Sequence, residues 1–132
     1  MIAIPAEIRE AMVMHAVDQL PYEACGLLAG TDGSVARFYP TRNADHSRFT
    51  YRLDPTEQLR VFNDIEGQGL DLVGIFHSHT HTEAYPSPTD RAQAFYPEAH
   101  YVLLSLQDRD DPKIRAFTIR DGLIEEQEMR FE

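Results

Sequence analysis

Apolar residues recur at helical spacing from Ile8 through Met12, Val13, Ala16 and Val17 to Leu20, behind a proline at position 5. This predicts an amphipathic first helix, stopped by Pro21. Cys25 to Ala29 is a short apolar run between Glu23 and Gly30 and reads as a buried strand. Thr31-Asp32-Gly33 predicts a hairpin turn into a second strand, Val35 to Tyr39. Residues 40–49 have loop chemistry, and Thr50 to Leu53 predicts a short strand.

Asp54-Pro55-Thr56-Glu57 has the form of a helix start, with a cap, a first-turn proline and a capping acid. Leu59, Phe62 and Ile65 supply a buried stripe for that helix, and Gly67 and Gly69 end it. The run Leu72-Val73-Gly74-Ile75-Phe76 then predicts a buried strand that continues to His79. A third helix is expected from Pro88 toward Phe95. Tyr101 to Leu106, Ile114 to Ile119 and Leu123 to Glu125 read as strands, with turns at Asp110-Asp111-Pro112 and Asp121-Gly122. Strands interleave with helices, yet the last strands join by tight turns. The expected class is therefore α/β, one domain over residues 1–132, with a mixed rather than purely parallel sheet flanked by helices.

Composition narrows the partners. A net charge of −10 argues against nucleic acid and anionic membrane surfaces, which select basic patches. Cys25 is the single cysteine, so no internal disulfide can form and a reducing, cytoplasmic setting fits. No apolar stretch reaches the length of a membrane span, and Ile2 to Ile4 is too short for a signal-peptide core. A homodimer is compatible with the sequence.

The chemistry gathers around His77-Ser78-His79. In a strand, period 2 puts His77 and His79 on one face and Ser78 on the other. Ser87-Pro88-Thr89-Asp90 reads as a capped helix start: Ser87 the cap, Pro88 the first helical residue, Asp90 the reciprocal acid. A lone histidine is usually structural, and Ser87 and Asp90 are explained by capping alone. Together the four residues point to a metal site, since two imidazoles and one carboxylate are a common catalytic zinc set. Such a site needs a proton acceptor. Glu23, at the junction of the first helix and the Cys25–Ala29 strand, is the best placed, although an acid at a turn is ordinarily just exposed.

Glu23-Ala24-Cys25-Gly26-Leu27-Leu28-Ala29-Gly30, followed by His77-Ser78-His79, Ser87 and Asp90, resembles the JAMM (MPN-plus) metallopeptidase family over nearly the whole chain. The resemblance implies a curved mixed sheet with helices on both sides, layered like cytidine deaminases. It implies Glu23 as general base and acid, His77, His79 and Asp90 as ligands of one Zn2+ with a bound water, and Ser87 as a donor to the oxyanion. The implied reaction is hydrolysis of an amide, often an isopeptide or a bond at the C-terminus of a ubiquitin-like protein. Many members carry proline after the second histidine, where this chain has Thr80 and His81, so the loop from Thr80 to Pro86 is expected to differ in shape. Thr80, Glu83-Ala84-Tyr85-Pro86, Tyr51-Arg52-Leu53-Asp54 and Ala99-His100-Tyr101-Val102-Leu103 together resemble a narrower actinobacterial branch. Its members free cysteine from the C-terminus of a small ubiquitin-like sulfur-carrier protein during cysteine synthesis.

Four other readings compete. A deubiquitinase-like isopeptidase would take other substrates, although the chain has no room for ubiquitin-gripping insertions. A non-haem iron oxygenase uses the same donor set, but usually in all-β barrels. A scaffold that merely keeps a metal needs neither Glu23 nor Ser87. A cysteine hydrolase would have to use Cys25, which reads as a small buried hydrophobe. His46, His81 and His100 read as loop or structural residues, and Arg42 and Arg48 as candidates for docking an acidic carrier.

Overall fold

The computed structural model describes residues 1–132. The chain opens with β1 (Ile2–Ile4) and α1 (Ala6–Asp18), followed by β2 (Cys25–Thr31) and β3 (Ser34–Thr41). Helix α2 (Pro55–Gly67) leads to β4 (Asp71–His79), then α3 (Pro88–Ala92), β5 (His100–Ser105), β6 (Lys113–Arg120), β7 (Leu123–Gln127) and β8 (Met129–Phe131). All eight strands form one mixed sheet, ordered β7-β6-β5-β4-β2-β3-β1-β8. The edges β7 and β8 are separated in sequence only by Glu128, whose carbonyl accepts from Ile2 N–H at 3.0 Å. One run of chain thus supplies both edges, and the sheet curls until it is nearly closed. Asp32 and Gly33, both at positive φ, make the two-residue turn between β2 and β3, the geometry that Asp-Gly favours.

Two cores lie on opposite faces of the sheet. Met12 and Ala16 of α1 pack with Ile4, Leu28, Phe76, Val102 and Leu104 on one. Val61 and Ile65 of α2 pack with Leu27, Ile75, Leu103 and Phe117 on the other. No helix is long and apolar enough to cross a membrane.

Several local expectations fail for identifiable reasons. Residues 50–53 form no strand; only an isolated bridge joins Asn43 to Leu53, because Asn43 takes up the local backbone groups instead. Leu59 is exposed rather than part of the α2 stripe, which runs through Val61 and Ile65 with Phe62 half-buried. Helix α3 stops at Ala92, short of an exposed Phe95. Strands β1 and β8 were not expected. Each is three residues long, and they hold each other in parallel register from opposite ends of the chain.

Strand β4 lies between antiparallel β2 and parallel β5. Cys25 pairs with His77 and Gly26 with Phe76. Continuing that register places Ala24 across from Ser78 and Glu23 across from His79. The hydrogen bonds agree: Ser78 N–H donates to the Ala24 carbonyl at 2.9 Å, and Ala24 N–H donates to Ser78 Oγ at 2.8 Å. Sheet pairing alone therefore brings an acid from residue 23 to a histidine at residue 79.

Candidate active site

His77 and His79 share the face that the alternation of β4 predicts, and Asp90 meets them from the start of α3. His77 Nε2 lies 3.3 Å from His79 Nε2 and 3.1 Å from Asp90 Oδ2; His79 Nε2 is 2.8 Å from the same oxygen. All three residues are buried. Donors each 2.0–2.1 Å from a tetrahedral zinc stand about 3.3 Å apart. The three atoms are thus already close to one face of such a tetrahedron, and the donor set fits the ion.

Capping holds Asp90 in place. Ser87 N–H donates to Asp90 Oδ2 at 2.9 Å, and Asp90 N–H donates to Ser87 Oγ at 3.1 Å. Both halves of the capping box are present. The capping contact and both histidine contacts converge on the same carboxylate oxygen. Ser87 Oγ accepts within the box, so its own proton is left for another acceptor.

The supports of the two histidines differ. His79 Nδ1 donates to the Glu83 carbonyl at 2.8 Å, which leaves the Nε2 lone pair for a cation. His77 Nδ1 is buried without a partner, and its ring instead stacks on Tyr51 at a 4.2 Å centroid distance. The loop from Thr80 to Pro86 is firmly seated. Ala84 is buried, Ser105 Oγ donates to the Thr82 carbonyl, and Tyr85 packs edge-on against Phe117. Where proline was absent from the motif, Thr80 Oγ1 donates to the Arg48 carbonyl at 3.2 Å and ties this loop to the 40–54 segment.

Glu23 is not the exposed acid that a turn position suggests. It is only 3% exposed, and its Oε1 is buried with no hydrogen-bond partner. Burial pushes its carboxyl up to about 8; His79 opposes the rise and the charge of Asp90 adds to it. Burial also works to raise Asp90, but hydrogen bonding to His77 and His79 outweighs it and holds that carboxyl well below the carboxylate range. Burial lowers His77, whereas in His79 the contacts with Asp90 and Glu83 overcome burial and raise it. Glu23, His79 and Ser87 line one cavity of about 210 Å³, joined at its rim by Arg48, Phe49 and His81.

Two positioning residues escaped sequence reasoning. Ser78 holds the Glu23–Ala24 segment onto β4. Asn43, buried in the polar loop, donates to the carbonyls of Glu23 (3.1 Å) and Thr50 (2.9 Å) and accepts from the N–H groups of Asp45 and Arg52. Asn43→Ala strands these backbone groups, so unfolding in denaturant is expected to show a loss of about 2–4 kcal/mol. An unchanged midpoint would deny Asn43 this role.

Other candidates separate cleanly. Arg42 pairs with Asp54 at the start of α2. His46 packs against Tyr22, and His100 begins β5. Cys25 is buried in β2, and burial pushes its thiol up to about 11, opposite to an activated nucleophile. The cysteine-hydrolase reading therefore fails.

Residues 5–120 match the model of prokaryotic homologues of the JAB domain. The chain belongs to this JAB-domain family. A JAB-domain relative, the CysO-cysteine peptidase of Mycobacterium tuberculosis, is 46% identical over 128 residues, covering 96% of this chain and 88% of the relative. The desampylase of Haloferax volcanii is 35% identical over 115 residues, covering 82% and 83%. Among solved structures, protein DSY2949 from Desulfitobacterium hafniense superposes with a TM-score of 0.92 at 38% identity, covering all of this chain and 93% of its own. JAB membership agrees with the curved mixed sheet and its flanking helices.

Proposed function

We propose that the chain is a zinc-dependent, JAMM-type peptidase that hydrolyses an amide bond at the C-terminus of a small ubiquitin-like sulfur-carrier protein, releasing cysteine. The observation that carries this reading is the cluster of three candidate metal donors, one of which, His79, shares a cavity with an unpartnered buried carboxyl at Glu23 and the hydroxyl of Ser87. The likeness to the mycobacterial peptidase supports the choice of carrier. His77, His79 and Asp90 would hold the ion. Zinc there would supply a water acidified to a pKa near 7, a pull on the scissile carbonyl and a positive charge that favours ionised Glu23.

The protein's own groups do the rest. Glu23 takes a proton from the attacking water and later delivers it to the departing amine as the C–N bond breaks. The carrier leaves with a carboxylate and cysteine leaves with a free amine. Ser87 donates its hydroxyl proton to the oxyanion formed at the substrate carbonyl. Cys25 stays a reduced core residue, in keeping with a cytoplasmic enzyme. All five site residues come from one chain, so no homodimer is required, and the negative charge disfavours nucleic acid or anionic membrane as partner.

Ser87→Ala is expected to lose a few hundredfold in kcat/KM, the usual worth of one oxyanion donor, with zinc content unchanged. A rate near that of the native protein would remove Ser87 from catalysis. The substrate is tested with carrier proteins bearing different residues after Gly-Gly, alongside a lysine-linked conjugate. Fastest cleavage of the cysteine adduct is expected. Cleavage of the lysine-linked conjugate alone would move the reading to an isopeptidase.

A further inference from the structure

The cavity shared by Glu23 and Ser87 holds an arginine that the reaction as described does not use. Arg48 is an exposed side chain on its rim and has no carboxylate partner. Its neighbours in the same loop do: Arg42 pairs with Asp54, and Arg52 with Asp45 at 3.2 Å. Other arginines also lack a carboxylate partner, but Arg48 alone of them lines the cavity of Glu23, His79 and Ser87.

Its backbone is fixed from two sides. Ser47, the preceding residue, accepts at its carbonyl from Glu23 N–H at 2.8 Å. The Arg48 carbonyl accepts from Thr80 Oγ1, just past His79. The arginine therefore stands between the base and the end of β4. The space is small: at about 210 Å³ it lies below the range of roughly 300–1,000 Å³ common for ligand pockets, and suits one residue rather than an extended peptide.

The leaving amine must reach Glu23. In a C-terminal amino acid the carboxyl carbon lies about 2.5 Å from that nitrogen, across two bonds. A free α-carboxylate would thus enter the small cavity that Glu23 lines, where Arg48 is the arginine on the rim able to hold it. A guanidinium meets a carboxylate with two parallel hydrogen bonds. A lysine side chain in an isopeptide brings only methylene groups to the same place.

We infer that Arg48 recognises the free α-carboxylate of the released residue, and so makes the enzyme a remover of single C-terminal residues. The inference rests on the peptidase reading above and adds the substrate's terminus to it. The test uses the zinc-loaded protein and two substrates: the carrier extended by cysteine as the free acid, and the same adduct as its C-terminal carboxamide. The native protein is expected to prefer the acid by on the order of ten- to a hundredfold in kcat/KM, the worth of a charged hydrogen-bonded contact. Arg48→Ala should bring that ratio close to one, and Arg48→Lys should restore part of it. A merely structural role would lower both rates and keep the ratio. Equal rates on acid and amide by the native protein, or a ratio that survives Arg48→Ala, would overturn the inference and leave the peptidase reading intact. Failure to cleave either adduct would overturn the peptidase reading, and the inference with it.

Discussion

Glu23→Gln is expected to leave zinc content unchanged while kcat falls by about a thousandfold or more. Glu23 supplies no metal donor, so occupancy does not depend on it. It lies across the sheet from His79 with a buried, unpartnered oxygen, and glutamine cannot carry a proton from water to amine. General acid–base groups commonly contribute 10²–10⁴-fold, and here one group serves both steps. The same substitution should stabilise the metal-free protein at pH 8. The folded-state carboxyl is raised from 4.5 to about 8, so its contribution to stability is full below 4.5 and is lost as pH rises through 8. Glutamine does not titrate and escapes this loss, so its advantage over the native protein grows toward the alkaline end. Metal analysis, steady-state rates and thermal unfolding of the chelated protein between pH 5 and 8 check all three parts. A Glu23→Gln protein that keeps most of its activity has its base elsewhere.

Asp90→Ala carries the second large effect. It removes a metal donor and the acceptor for Ser87 N–H in one step. Zinc is expected to be absent after purification, and activity to fall to background. Loss of the reciprocal arm of the capping box costs about a further 1 kcal/mol. Asp90→Asn separates the two roles, because an amide oxygen still accepts from Ser87 N–H but is a much poorer zinc ligand. Its helix start should survive, read by hydrogen exchange at Ser87, while zinc affinity drops by about a hundredfold or more. Asp90 also contributes to the acid limb of stability. Its depressed carboxyl contributes above 3.8 and the contribution is lost as pH falls below that value. Full zinc occupancy in Asp90→Ala would remove Asp90 from the ligand set.

The parts of this site that were legible in the sequence are those set by local geometry. Alternation along β4 places His77 and His79 together, and the spacing from Ser87 to Asp90 defines a capping box whatever the rest of the chain does. Glu23 is different. Its position depends on β2 pairing with β4 over a separation of more than fifty residues; the element junction marked it as a candidate, and the family resemblance gave it the role of base. Asn43 was invisible for the same reason. An asparagine among Pro40, Thr41, Arg42, Asp45 and Ser47 looks solvated, and nothing local reveals that its amide reaches the Glu23 carbonyl. Strands β1 and β8 are too short to carry a period and form by long-range pairing, β1 between β3 and β8. Leu59 misled because a helix with mixed apolar positions admits two stripes, and packing onto the sheet chose the one through Val61 and Ile65.

His77, His79 and Asp90 are proposed to hold a zinc ion whose water, managed by Glu23, cleaves a C-terminal amide. Mass spectrometry of a small carrier protein ending in Gly-Gly-Cys, incubated with the native protein, with chelator, and with zinc restored, tests it most directly. Loss of one cysteine is expected, abolished by chelation and recovered with zinc. Cleavage that persists after the metal is removed, or no cleavage by a folded and zinc-loaded sample, would contradict it.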